Sequence, residues 1–252
     1  MLNIAAVLFT LLITPAHALE VDSAEVALPA TMGAAPDTWE SVVFGTAFTG
    51  IPIVIASPGP SAGGQPFTIR IKDVTNLGFD AQVVEPHGTS GPTHLAVDMT
   101  YLAIEPGIHG LPEGKLIVAG LTEVTEQQFA PNHELASTWN PIAFDIPFES
   151  SPTILAQIQT TFNEVGGVPA DWSSPFLTVA VDGVTTDGFN LALERSEATP
   201  GSVEIPEVIG WVAITPNTVG ELTDINEEPV LWESLAIEPG LFSIGKGDGC
   251  RT

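Results

Sequence analysis

The chain is written twice. Thr38-Trp39 and Thr138-Trp139 open two stretches, TWESVVFGTAFTGIPIVIA and TWNPIAFDIPFESSPTILA, that repeat residue type and spacing at an offset of 100. Trp39, Phe44, Phe48, Pro52 and Ala56 are answered by Trp139, Phe144, Phe148, Pro152 and Ala156. The offset then grows to 110: FTIRIKDVTNLGFDAQVVE meets LTVAVDGVTTDGFNLALER, and Tyr101 falls on Trp211. The ten added residues lie in FNEVGGVPADWSS, a loop, where extra length is tolerated most easily. Whatever one copy folds into, the other must fold into as well.

Within each copy the period is that of strands. In FTIRIKDV, Phe67, Ile69 and Ile71 alternate with Thr68, Arg70 and Lys72, so the pattern predicts an apolar face and a wet face bearing both cations. Strands are expected near residues 38–48, 51–57, 66–74, 77–85 and 95–105, after a leading strand around 23–28; the second copy takes its leading strand from about 117–125. Gly and Pro punctuate these runs, and no extended stretch carries the i, i+3, i+4, i+7 spacing of a helix. The expected fold is all-β: two tandem antiparallel β-sandwich domains of about six strands each, over 19–118 and 119–220. Residues 221–252 form a tail with room for an extra strand. LAIEPG at 102–107 closes the first copy, VAITPN at 212–217 closes the second, and LAIEPG returns at 235–240 with no copy before it. Pro and Gly make the phrase a strand terminator, and the third is expected to be a tail strand joining the second copy's sheet.

The first 18 residues have an apolar core from Ile4 to Ile13 followed by Ala16-His17-Ala18, the pattern of a secretory signal peptide without its usual basic start. Export is expected, to the extracellular space or a periplasm, and no later segment reads as membrane-spanning. One cysteine, Cys250, allows no internal disulfide. With Lys+Arg 6 against Asp+Glu 31, a net charge of -25 repels nucleic acid and anionic lipid, which makes both poor candidates as partners.

The order Trp, Phe, Phe-x-x-x-Pro, then V-T-x-x-G-F and aromatic-x-A-I resembles the H-type lectin domain, the family of snail agglutinins and the discoidin C-terminal domain. The matching segments are VVFGTAFTGIPIVIAS, IRIKDVTNLGF and VDMTYLAIEPG, with IAFDIPFESSPTILAQIQ, VAVDGVTTDGF and VIGWVAI in the second copy. The resemblance implies a six-stranded antiparallel sandwich, trimeric association and binding of galactose-type sugars such as N-acetylgalactosamine. It places the family's sugar-binding Arg on Arg70 and its His on His87, while Pro86 stands where the family has a stacking Trp. In the second copy the three positions are Ala180, Ser196 and Glu197, which keep nothing of that site.

Arg70 and His87 are therefore the expected carbohydrate contacts, with Lys72, Glu85 and Trp172 as weaker candidates. A guanidinium fork can hold paired hydroxyls, or a carboxylate, by directional hydrogen bonds; the plainer reading of Arg70 and Lys72 is surface pairing with Asp80 or Glu85. Trp172, in the inserted loop, can stack on a sugar or cover that loop's own apolar patch. Trp39, Trp139, Tyr101 and Trp211 are expected in the core. His87, His94 and Glu85 match no metal signature, and the acidic stretch DINEEPVLWE lacks a calcium loop's spacing, so it reads as solvated acid. No metal or cofactor is expected. No nucleophile elbow, phosphate loop or zinc-protease motif occurs, so the chain is not expected to be an enzyme. The expected function is non-catalytic glycan or glycoconjugate binding, or adhesion, by a homo-oligomer. The alternative is a structural module of an extracellular scaffold.

Overall fold

A computed structural model describes residues 19–30, 39–59, 67–84, 95–128, 138–164, 175–195 and 203–234. The regular elements among them are β-strands, apart from one 3-10 turn at Pro112–Gly114. The first copy supplies β1 (Val21–Leu28), β2 (Glu40–Val43), β3 (Ile53–Pro58), β4 (Thr68–Thr75), β5 (Gly78–Val84) and β6 (Val97–Ile104). After β7 (Gly107–Gly110), the second supplies β8 (Leu116–Val124), β9 (Asn140–Ala143), β10 (Thr153–Ile158), β11 (Leu177–Asp182), β12 (Gly188–Arg195) and β13 (Glu207–Ile214). A hairpin of β14 (Thr218–Thr223) and β15 (Pro229–Ser234) follows.

The two copies use the same topology. In the first unit, antiparallel sheets β1-β6-β3 and β2-β5-β4 face each other across one apolar core. In the second, β10-β13-β8 and β11-β12-β9 do the same, and β7 extends the first of these sheets through its pairing with β8. Leading and closing strands pair along their full length, Val21 opposite Ile104 in one unit and Ile117 opposite Ile214 in the other. The sheets thus divide the chain after Ile104, and the boundary expected at 118 falls inside β8.

Each core is built on an aromatic quartet that the repeat preserves. Phe44 meets Phe48 edge-on at 5.0 Å between ring centroids, and Phe144 meets Phe148 at 5.0 Å. Phe79 packs edge-on against Tyr101 at 5.2 Å, as Phe189 does against Trp211 at 5.4 Å. Such tilted pairs add to the burial of apolar area. The V-T-x-x-G-F phrase sets one side of the quartet in place. Thr75 Oγ1 bonds the Gly78 carbonyl at 3.1 Å, and Thr185 Oγ1 bonds that of Gly188 at 3.0 Å. A Cβ on Gly78 would collide with the Val42 carbonyl, and one on Gly188 with the Ile142 carbonyl, so both copies hold glycine.

Several sequence expectations change here. The strand expected over 38–48 stops at Val43, because Phe44 N and Phe48 N turn away from the ladder to bond Leu77 O (3.0 Å) and Asn76 O (2.9 Å). Tyr101 and Trp211 are core residues, but Trp39 and Trp139 are only half-buried and lie outside the core clusters. β4 has no wet face at its centre: Ile69, Arg70 and Ile71 are all buried. The second unit covers the side that was expected to meet water. Between the second unit and the repeated phrase the chain forms a hairpin that the spacing did not predict, β14 paired with β15. The repeated phrase at 235–240 lies outside the described residues, as do the expected signal peptide and Cys250.

Between the two units lies a third apolar cluster: Ile53, Ile104, Ile117, Ala119 and Val212, with Leu222 of the hairpin against it. The edge of β3 is closed by a side chain instead of a strand. Gln159 accepts from Val54 N at 2.9 Å and donates to Val54 O at 2.8 Å, as a neighbouring backbone would. Gly210 permits the approach, since a Cβ there would lie 2.6 Å from Ile53 Cγ2.

Candidate functional site

Arg70, the residue best matched to a sugar contact, is 2% exposed at the junction of the units. Its Nε donates to Glu164 Oε2, and its Nη2 donates to Glu164 Oε1 at 2.5 Å. The guanidinium also sits over the Phe176 ring, 4.8 Å from its centroid. Glu164 Oε1 further accepts from Leu177 N at 2.8 Å. The fork that would hold paired sugar hydroxyls is therefore filled by a carboxylate of the second unit. This corrects the expectation that Arg70 stands on an open face: alternation within β4 reports the two sides of one sheet, not what covers them.

The loop that delivers Glu164 is itself held by a buried acid. Glu207 is 1% exposed and accepts from Thr160 Oγ1, from Phe162 N at 3.2 Å, and from Asn163 N and Nδ2 at 2.8 and 2.7 Å. Four donors thus converge on this one carboxylate and tie the loop to β13. Neither Glu164 nor Glu207 stands out in the sequence. Their only signal was that the second copy's insertion falls at this loop.

Lys72 and Trp39 meet two residues along β4. The Lys72 ammonium lies 4.4 Å from the Trp39 ring centroid and 3.5 Å from Asp73 Oδ2. Beside them a groove of about 320 Å³ runs between the units. Ile51 and Val74 of the first unit and Leu121, Phe162 and Val208 of the second line it, and Lys72 and Asp73 supply charge. Ile51, Leu121 and Phe162 are 56%, 42% and 57% exposed, an uncommon share of water for large apolar side chains gathered at one place.

A second polar cluster ties the hairpin to the first unit. The Tyr101 hydroxyl donates to Asp22 Oδ2 at 2.9 Å, and Asn226 Nδ2 donates to Asp22 Oδ1 at 3.0 Å and to Asp224 Oδ2 at 3.3 Å. Asp224 Oδ1 accepts from Asn226 N and Glu228 N at 2.8 and 2.7 Å, which folds the turn between β14 and β15. Burial and the neighbouring Asp22 carboxylate push the Tyr101 hydroxyl well above its ordinary range. The acidic stretch is thus not uniformly solvated: Asp224 is a buried turn residue. Among the described residues no group of three or more His, Cys, Asp or Glu is arranged to hold a metal ion.

Neither protein-family models, nor curated proteins, nor solved structures match the chain. The lectin resemblance therefore rests on the residue pattern alone. Of the expected contacts, Arg70 and Lys72 are brought to the unit junction, two residues apart on β4. Glu85, His87 and Trp172 lie outside the described residues. In the second unit, half-buried Ala180 occupies the position of Arg70, and Ser196 and Glu197 are likewise outside. No helix among the described residues is long and apolar enough to cross a membrane.

Proposed function

We propose that the chain is an exported, non-catalytic adhesion or assembly module in which two lectin-like units act as one rigid body. The observation behind this reading is the engagement of Arg70 by Glu164. The one cation that the resemblance assigns to sugar binding is instead committed to joining the units. Self-association into a homo-oligomer, trimeric by the resemblance, would multiply weak contacts at a surface. The test compares wild type and Arg70→Ala by thermal unfolding and on a glycan array. The variant is expected to melt at lower temperature with its array profile unchanged. Array binding abolished in a variant that keeps the wild-type melting temperature would return Arg70 to the sugar site and sink this reading.

A second reading, carbohydrate binding of galactose type, is favoured by a different observation: the junction groove joins apolar side chains to a paired cation and anion. Pyranoses present the same combination, an apolar C–H face edged by hydroxyls that both donate and accept.

A further inference from the structure

The hairpin after the second unit repeats, on a small scale, the pairing of a leading with a closing strand. In the second unit Gly120 of leading β8 stands opposite Trp211 of closing β13, and in the hairpin Gly220 of β14 stands opposite Trp232 of β15. The indole lies so close in both pairs that a Cβ on the glycine would come within 2.4 and 2.7 Å of it. The phrase LAIEPG follows directly on β15, as it runs through the end of β6. In a complete unit the closing strand has a second neighbour on its other side, β3 beside β6 and β10 beside β13. Among the described residues β15 has none.

Two strands alone are marginal in water, and this pair is fixed by its inner face. Leu222 packs on the junction cluster, and Asn226 ties the turn to Asp22. The outer face is left with Val219 and Leu231, 73% and 78% exposed. Beside them runs an edge of backbone N–H and C=O groups, a template for a further strand. The units indicate which strand fits, because both hold an uncharged, largely apolar one at this place, IVIASP or TILAQI. β3 is closed on its outer side by Gln159, which engages both backbone groups of Val54. The outer side of β10 pairs with no strand among the described residues, and Leu155 on it is 36% exposed. A net charge of -25 sets copies of the chain against one another. Residues 150–163, however, hold no Asp, Glu, Lys or Arg, so β10 brings no like charge to Glu233. Within one chain β10 and β15 do not pair; they touch through Ser234 Oγ and Thr153 Oγ1, 3.2 Å apart.

We infer that the open edge of β15 takes β10 of a second copy of this chain, antiparallel as closing strands pair within the units. Main-chain hydrogen bonds supply the attraction, and the exposed leucines of the two edges, Leu231 and Leu155, are the side chains it covers. Because the two edges differ, the contact is heterologous: copies join head to tail, with one edge of each kind free at the ends. The inference rests on the self-association proposed above and gives it a surface.

Sedimentation velocity of the full chain over a concentration series, in salt that screens the net charge, reads the association. Two variants accompany it, Leu231→Glu on β15 and Leu155→Glu on β10, both at exposed positions and expected to keep the wild-type melting temperature. The wild type is expected to give a ladder of species from the dimer upward, and each variant alone to stay monomeric. An equimolar mixture of the variants is expected to form dimers and nothing larger, since each supplies the edge that the other has lost. Hydrogen exchange reads the same contact without a substitution: amides of β10 and β15 in the wild type should gain protection as concentration rises. Unchanged protection, variants that associate like the wild type, a mixture that stays monomeric, or one closed trimer in place of the ladder would overturn this surface and leave self-association standing. A wild type that is monomeric throughout would overturn both; if it associates once cut after Ser234, its own tail occupies the β15 edge.

Discussion

Removing the guanidinium of Arg70 leaves the Glu164 charge buried with the Leu177 amide and little else to hold it. Loss of one partner of a buried pair costs about 3–5 kcal/mol, far more than loss of a surface pair. Arg70→Ala is therefore expected to lower unfolding free energy by about 3 kcal/mol in urea titration, and Glu164→Ala added to it to recover part of that loss. A change under about 0.5 kcal/mol would mean that the pair is solvated. Tyr101, the chain's one tyrosine, reports on the other polar cluster. Its ordinary value is near 10, and burial with Asp22 raises it in the folded state. The unfolded chain gives up this proton first, so the contribution of Tyr101 is complete below about pH 10 and declines as pH rises above it. Tyrosinate absorbance should appear only as the protein unfolds in alkali, and Tyr101→Phe should flatten the decline. A native protein that titrates near pH 10 would contradict this.

At the scale of elements, β3 is an edge strand whose outer side pairs with no strand among the described residues. Gln159 occupies that edge with one acceptor and one donor, both buried. Gln159→Ala leaves two buried backbone groups of Val54 without partners, each worth about 1–3 kcal/mol when orphaned. The expected loss is about 2–4 kcal/mol, with faster hydrogen exchange at Val54 than at its neighbours in β3. Equal protection along the whole strand would show that something else covers the edge. The β5 turn is set by Gly78 in the same strict sense. Gly78→Ala drives a Cβ into the Val42 carbonyl and should destabilise by more than about 2 kcal/mol, with Gly188→Ala doing the same in the second unit.

For the molecule as a whole, the two units do not meet as loosely joined domains. They share the Ile53–Ile104–Val212 cluster, the Arg70–Glu164 pair and the Gln159 bridge. The hairpin then binds both: Ser234 Oγ lies 3.2 Å from Thr153 Oγ1 of the second unit, while Ile225 N bonds Val21 O of the first at 2.9 Å. Units coupled in this way unfold together. Calorimetry is expected to give one transition for the wild type and two for Arg70→Ala combined with Gln159→Ala, because the cluster alone is small. Two transitions in the wild type would show that each unit is stable by itself.

The duplicated order of residues determined that the chain is β-built, that its aromatics stand at matching positions in two copies, and that Gly78 and Gly188 stand at equivalent turns. These follow from local spacing and from the period of two, which a strand imposes whatever surrounds it. Which residues form the site was decided only by tertiary structure. Alternation puts Arg70 beside Thr68 and Lys72 on one face of β4, but covering that face takes Glu164, Phe176 and Gln157, roughly ninety or more residues away in sequence. The same holds for Asp224, whose burial depends on Asn226 reaching back across 204 residues to Asp22. A repeat shows what two units have in common; their contact is made by the residues in which they differ. Arg70 against Ala180 is a difference of that kind.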